Sequence, residues 1–206
     1  MFSPLLANLY MRRFVLGWKT LGHERRLNAH IVNYADDFVI CCPAGRAAAA
    51  MMVMREMMKK LRLTVNEAKT RLCKLPEATF DFLGYTFGRQ YSKRTGRAYI
   101  GPKPSKKKIA RVCEEIHAVT QRSTTWRGVE EVVGRLNHKL RGWSNYFCRG
   151  TVVPAYETVL GVARRRLRRW LCAKHKVRRG GYGRYPTPHL HERLRLYLPP
   201  GCCAYR

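Results

Sequence analysis

Acidic residues are scarce in this chain of 206 residues: 13 Asp and Glu stand against 41 Lys and Arg, a formal net charge of +28. A domain so short of negative charge normally needs a polyanion to neutralise it. Long apolar runs are missing too, and no segment has the pattern of a secretory leader or a membrane span. A nucleic acid is therefore the expected partner rather than a membrane surface, and a cytoplasmic location is expected. Eight cysteines are present but no Cys-x-x-Cys pair, and their positions (41, 42, 73, 113, 148, 172, 202 and 203) are irregular. That spacing disfavours a structural zinc site or a disulfide framework and leaves reduced thiols as the expectation. His189 and His191 with Cys202 and Cys203 fit no common ligand spacing, so they are read as part of a surface tail.

Hydrophobic residues make up 46% of the chain, the share of an ordinary folded protein. The charge is unevenly placed. Up to Gly88 there are 13 basic and 7 acidic residues, a balance of +6; from Arg89 onward there are 28 and 6, a balance of +22. Polyanion contact is expected in the second half, with an affinity that falls steeply with salt.

The tetrapeptide Tyr34-Ala35-Asp36-Asp37 lies between two β-favouring runs, Ile31, Val32 and Tyr34 before it and Phe38 to Cys41 after it. A tight strand-turn-strand with both carboxylates near the tip is the expected local structure. Mg²⁺ takes hard oxygen ligands and usually only one or two protein carboxylates, leaving positions for water and substrate phosphates. Two adjacent aspartates at a bend therefore point to nucleotidyl transfer, where paired ions activate a hydroxyl and stabilise a leaving oxygen. A plain hairpin whose aspartates only favour the turn is the competing reading.

Ser3 and Pro4 predict a helix start, with Leu5, Leu6, Leu9, Phe14 and Leu16 giving apolar surface. Ala44 to Leu61 predicts an amphipathic helix through Met51, Met54, Met58 and Leu61. Leu63 to Val65 and Thr79 to Phe87 read as strands, the latter with alternating aromatics. Glycines and prolines between Arg89 and Lys108 predict a basic linker. Three helical stripes follow: Ile109, Val112, Ile116, Val119; then Val129, Val132, Val133, Leu136, Leu140, Trp143; then Tyr156, Val159, Ala163, Leu167, Trp170. Residues 177–206 read as a basic irregular tail. The fold class is α+β: an antiparallel sheet with packed helices, then a small helical domain.

Several of these segments, in order, resemble the later palm blocks of reverse transcriptases: Ser3-Pro4-Leu5-Leu6-Ala7-Asn8-Leu9-Tyr10, the Tyr-Ala-Asp-Asp box, Asn66-Glu67-Ala68-Lys69-Thr70 and Phe82-Leu83-Gly84-Tyr85. Arg135-Leu136-Asn137 and Leu140-Arg141-Gly142-Trp143-Ser144-Asn145-Tyr146-Phe147 resemble the maturase-specific thumb of group II intron-encoded proteins. The resemblance runs from Ser3 to about Lys176. It implies a partial polymerase palm over 1–88, a linker over 89–108 and a thumb over 109–176. In that family the fingers, another metal-binding aspartate and a Gln-Gly segment precede the Ser-Pro-Leu-Leu block, whereas this chain opens at Met1-Phe2. The expectation is a C-terminal portion of a reverse transcriptase. Glu24 and Asp81 are the nearest acids that could replace the further carboxylate, and neither sits in a metal motif.

The resemblance further implies an RNA-directed DNA polymerase and maturase. Its cofactor is Mg²⁺, two ions in the complete site, and its partners are group II intron RNA, an RNA template with DNA primer, and deoxynucleoside triphosphates. Asp36 becomes the first metal ligand, and Asp37 a second ligand or a shaper of the turn. Tyr34 either contacts the primer or packs beneath it, and Ala35, Gly84 and Tyr85 belong to the primer and nucleotide vicinity. Lys69 either neutralises departing pyrophosphate or is simply exposed. For RNA contact the residues themselves suggest Lys103, Lys106, Lys107, Lys108, Lys139, Arg141 and the run Arg164, Arg165, Arg166, Arg168, Arg169, since a guanidinium fork suits phosphate. Trp143 and Phe147, at helical spacing, are read as core, with stacking of Trp143, Tyr146 and Phe147 on unpaired bases as the alternative. A splicing cofactor that binds RNA without polymerising, or an inactive remnant, are the alternatives.

Overall fold

Helix formers and apolar residues three or four apart build the first elements of the computed structural model, which describes residues 3–92 and 95–203, without the side chains of Ser3, Pro4 and Ala7. The expected Ser3 cap rests on a side chain outside the described ones. The chain divides into two units, Met1–Lys74 and Leu75–Arg206.

In the first unit, helix α1 (Ser3–Thr20) buries Met11, Phe14 and Trp18, and helix α3 (Ala47–Lys60) buries Ala50, Met54, Met57 and Met58. Of the residues that give α1 its apolar surface, Phe14 is buried and Leu5, Leu6, Leu9 and Leu16 are exposed. The short helix α2 (His23–Leu27) leads into strands β1 (His30–Tyr34) and β2 (Asp37–Cys41). Trp18 donates from Nε1 to the Ala29 carbonyl at 2.8 Å, tying α1 to the start of the ribbon. Strand pairing is antiparallel, Ile31 opposite Ile40 and Tyr34 opposite Asp37. Period-two alternation then puts Ile31, Phe38 and Ile40 on the face that packs against the helices.

Leu63 to Val65, expected as a strand, is not one. Arg62 takes a left-handed φ of 56° and ends α3 in a Schellman arrangement, Leu63 N donating to Met58 O and Arg62 N to Lys59 O. Leu63 and Val65 then contribute side chains to the core of this unit rather than backbone to a ladder.

In the second unit the expected single strand over Thr79 to Phe87 is a hairpin. Leu83 and Gly84, with φ of 51° and 80°, turn β3 (Phe80–Phe82) back into β4 (Tyr85–Tyr91), as a two-residue I′ loop requires. The expected linker 89–108 is also ordered. It carries the end of β4, then β5 (Ala98–Pro104), then the start of helix α4 (Lys106–Val119). Its prolines are accommodated because β5 is an edge strand in the order β3-β4-β5. The three stripes form α4, α5 (Val129–Tyr146) and α6 (Val153–Lys174), sharing a core of Val112, Ile116, Val132, Leu136, Leu140, Val159, Leu167 and Trp170.

The segment after Lys176, expected to be an irregular tail, packs onto that core. A short helix α7 (Gly181–Arg184) and a π-helical turn (His189–Arg193) bring Tyr185, Leu190 and Leu196 inside. His191 is half-buried there, which corrects its reading as part of a surface tail. No helix among the described residues is long and apolar enough to cross a membrane.

Candidate metal and nucleic-acid sites

Within the first unit, the β1–β2 hairpin turns over two residues, Ala35 and Asp36, with Ala35 at φ 52°. A positive φ at the first loop position alone suits a II′ hairpin turn, and glycine would be the relaxed choice there. The register sets Tyr34 directly opposite Asp37 on the face of the ribbon away from the helices, and Tyr34 is 65% exposed. Asp36 and Asp37 are both exposed, and among the described residues neither is paired with a cation. Glu24 is engaged with His30 Nδ1 at 2.7 Å. Asp81, in the second unit, accepts from the Thr86 hydroxyl at 2.5 Å. Lys69 is exposed, in a turn where its backbone N–H donates to Asn66.

The donor set at the hairpin tip fits Mg²⁺ in kind: two hard carboxylates, solvent-facing, with room left for phosphate oxygens. No group of three or more His, Cys, Asp or Glu gathers among the described residues.

In the second unit, Gly84 and Tyr85 sit at the β3–β4 turn, docked on the end of α5. Tyr85 donates its hydroxyl to the Tyr146 carbonyl at 2.8 Å, and Tyr146 donates to the Leu83 carbonyl at 2.9 Å. The Phe147 ring lies 5.0 Å from that of Tyr85. Burial holds the Tyr85 phenol above its ordinary range. A side chain at Gly84 would press on Lys108 and Phe147 at 3.1 to 3.3 Å, so the glycine serves both the turn and this close approach. Phe147 is buried and Trp143 half-buried against the helical core.

The segment Arg135 to Phe147 turns out to anchor the chain's C-terminal part. Asn137 donates to Arg195 O at 2.8 Å and accepts from Tyr197 N at 2.7 Å, while Ser144 Oγ meets the Tyr197 hydroxyl at 3.1 Å. Arg141, exposed, lies over the Tyr197 ring at 5.3 Å. Tyr156 donates to the carbonyls of Ser144 and Phe147 at 2.9 and 2.6 Å, closing the end of α5, and burial pushes its phenol up to about 12.

The arginine run of α6 divides by function. Arg168 is only 5% exposed: its Nε donates to Tyr185 O at 2.8 Å and its guanidinium stacks under Tyr182 at 3.9 Å. Arg166 donates to the carbonyl and hydroxyl oxygens of Thr120, and Arg164 to His191 Nε2 and Cys203 O. These three are structural staples, so the expectation that all five face RNA is corrected for Arg168, whose charge is inside. Arg165 and Arg169 point to solvent. Sequence reading missed the split because each guanidinium's partner lies far along the chain, and it missed Lys174, which continues the staple at four-residue spacing from Arg166 and Trp170.

At the start of α4, Ser105 caps the helix by accepting from Lys108 N, and Lys106, Lys107 and Lys108 fill the first turn with no acid among them. Cations at a helix N-terminus oppose its macrodipole, a cost that an anion bound there would remove. Lys103, on β5, is exposed, whereas Lys139 is taken up by Glu115 at 2.7 Å.

Comparison with known proteins places both halves. The family model described as reverse transcriptase (RNA-dependent DNA polymerase) matches residues 1–87, and that described as the group II intron maturase-specific domain matches residues 109–185. No curated protein matches the chain.

Proposed function

Because the chain belongs to the group II intron reverse transcriptase/maturase family, we propose that it grips intron RNA through its second unit and contributes Asp36 and Asp37 to an Mg²⁺-dependent site that copies RNA into DNA. The observation that carries the polymerase half is the Tyr34–Asp37 hairpin, which leaves two unpaired carboxylates exposed at its tip. Asp36 and Asp37 would hold the ion, and Mg²⁺ when bound supplies charge neutralisation for the attacking and leaving oxygens of phosphoryl transfer. The exposure of Tyr34, on the same face as Asp37, supports contact with primer or nucleotide over packing beneath the ribbon. Lys69 is the cation we assign to departing pyrophosphate.

For RNA, support comes from the balance of +22 beyond Gly88 and from the lysines crowded onto the start of α4. Lys103, Lys106, Lys107, Lys108, Arg141, Arg165 and Arg169 are the phosphate-contacting residues of this proposal. The same charge concentration favours a second reading, a splicing cofactor that binds RNA without polymerising.

Primer extension on an RNA template with and without Mg²⁺ tests the first reading. Extension by the wild type that disappears in Asp36→Ala is expected, and undiminished extension in the variant would sink the catalytic assignment. Absent extension with RNA binding retained selects the cofactor reading. RNA affinity should fall steeply with salt, and replacing Arg165 or Arg169 by Ala should flatten that slope by about one each.

A further inference from the structure

We propose that Trp126 is a stacking platform for an unpaired RNA base; this rests on the RNA-binding reading above and adds a residue and a mode of contact to it. Trp126 lies in the connection between α4 and α5, and the residue is 76% exposed. Trp18 and Trp170 are fully buried and Trp143 is half-buried in the core of the second unit. A large apolar ring with a polar edge left in water is the form that tryptophan takes where it meets a partner.

The backbone that presents this ring is held from beneath. Along successive turns of α6, Arg166 donates to Thr120, Trp170 Nε1 donates to the Thr124 hydroxyl at 3.0 Å, and Lys174 Nζ donates to Thr125 O at 2.9 Å and Arg127 O at 2.7 Å. The carbonyls on both sides of Trp126 are thus gripped by one ammonium group. Loop backbone adds Thr125 N to Arg122 O and Arg127 N to Thr124 O. Fixing the loop in advance means that a ligand stacking on the indole loses little ordering entropy in the protein.

Electrostatics select the kind of ligand. The Arg127 guanidinium lies over the Trp126 ring at 4.9 Å. Its neighbour Glu131 is neutralised by Arg127 at 2.9 Å and Arg135 at 3.0 Å. From Thr120 to Val129 the connection carries Arg122 and Arg127 and no acidic residue. A π-face backed by a cation and set in a basic unit suits a base whose phosphates are close by, and stacking of this kind is tolerant of base identity. An apolar peptide would use the indole but leave the charge pattern unexplained.

The test compares wild type, Trp126→Ala and Trp126→Phe as full chains, by fluorescence anisotropy, on a hairpin RNA with an unpaired loop and on a blunt duplex with the same number of phosphates. The expected result is about tenfold weaker binding of the loop RNA by Trp126→Ala, substantial recovery in Trp126→Phe, unchanged duplex binding and an unchanged salt slope. Loop RNA should also shield the wild-type tryptophan emission from acrylamide, and the melting temperatures of the three proteins should agree. Equal binding of loop RNA by wild type and Trp126→Ala would overturn the stacking assignment and leave RNA binding standing. Equal loss on both RNAs would overturn it too, since stacking distinguishes unpaired bases. If the wild type bound neither RNA at low salt, the RNA-binding reading itself would fall, and the inference with it.

Discussion

A neutral imidazole joins helix α6 to the C-terminal segment. His191 accepts from Arg164 at Nε2, so its Nδ1 carries the proton and donates to Leu196 O at 2.8 Å. Burial, reinforced by the Arg164 charge, holds its pKa below the ordinary histidine value, while the bond to Leu196 acts the other way. A depressed pKa in the folded state means that the unfolded chain binds the proton first. The stabilisation is therefore full above the ordinary histidine range and is lost as pH falls through that range toward the folded value. Thermal stability should drop between about pH 7 and pH 5, and His191→Gln should reduce that dependence, with His23, also held below its ordinary value by burial, contributing in the same direction; a wild-type melting temperature constant over this interval would refute the assignment. The carboxylates of Asp36 and Asp37 are a contrasting case, legible from adjacent residues because a two-residue hairpin fixes both without help from distant chain.

At the scale of elements, glycines of the second unit separate into opposite expectations. Gly150, just beyond α5, has φ 79°, and an added Cβ would run into the backbone carbonyl of Pro102. That carbonyl already accepts from Thr151 N at 2.9 Å, which joins β5 to the approach to α6. Gly150→Ala should cost at least about 2 kcal/mol and lower the melting temperature by several degrees. Gly134, inside α5 with nothing within 4 Å of an added Cβ, should behave in the other direction. Gly134→Ala should stabilise by about 0.5–1 kcal/mol. Calorimetry of the two variants checks both, and similar shifts of the same sign would refute the account. The β3–β4 hairpin carries a related lesson. Alternation of aromatics through Phe87 reads as one strand, and only the paired positive φ values at Leu83 and Gly84 reveal the reversal.

On the scale of the whole chain, each unit has its own core, and among the described residues the two cores share none. The ribbon of the first unit has two strands, and in such a sheet each strand depends on a single neighbour. In the second, α6 is surrounded by α4, α5 and the C-terminal segment. Hydrogen exchange should accordingly open β1 and β2 well before the stretch Leu167–Leu171 of α6. Equal protection of the two segments would argue against cores of unequal strength.

Sequence by itself determined the Tyr34–Asp37 hairpin, the amphipathic α3 and the three helices of the maturase domain, because period-two and period-three-to-four patterns are local and need no knowledge of what they pack against. The excess of positive charge beyond Gly88 is also independent of folding. Tertiary structure alone decided which arginines of α6 face water, why Asn137 and Ser144 hold Tyr197 and its neighbours, and that residues after Lys176 complete the core. Those outcomes rest on donors meeting carbonyls from remote parts of the chain. A buried carbonyl needs a partner from wherever the fold supplies one, and no periodicity in the sequence records which residue that will be.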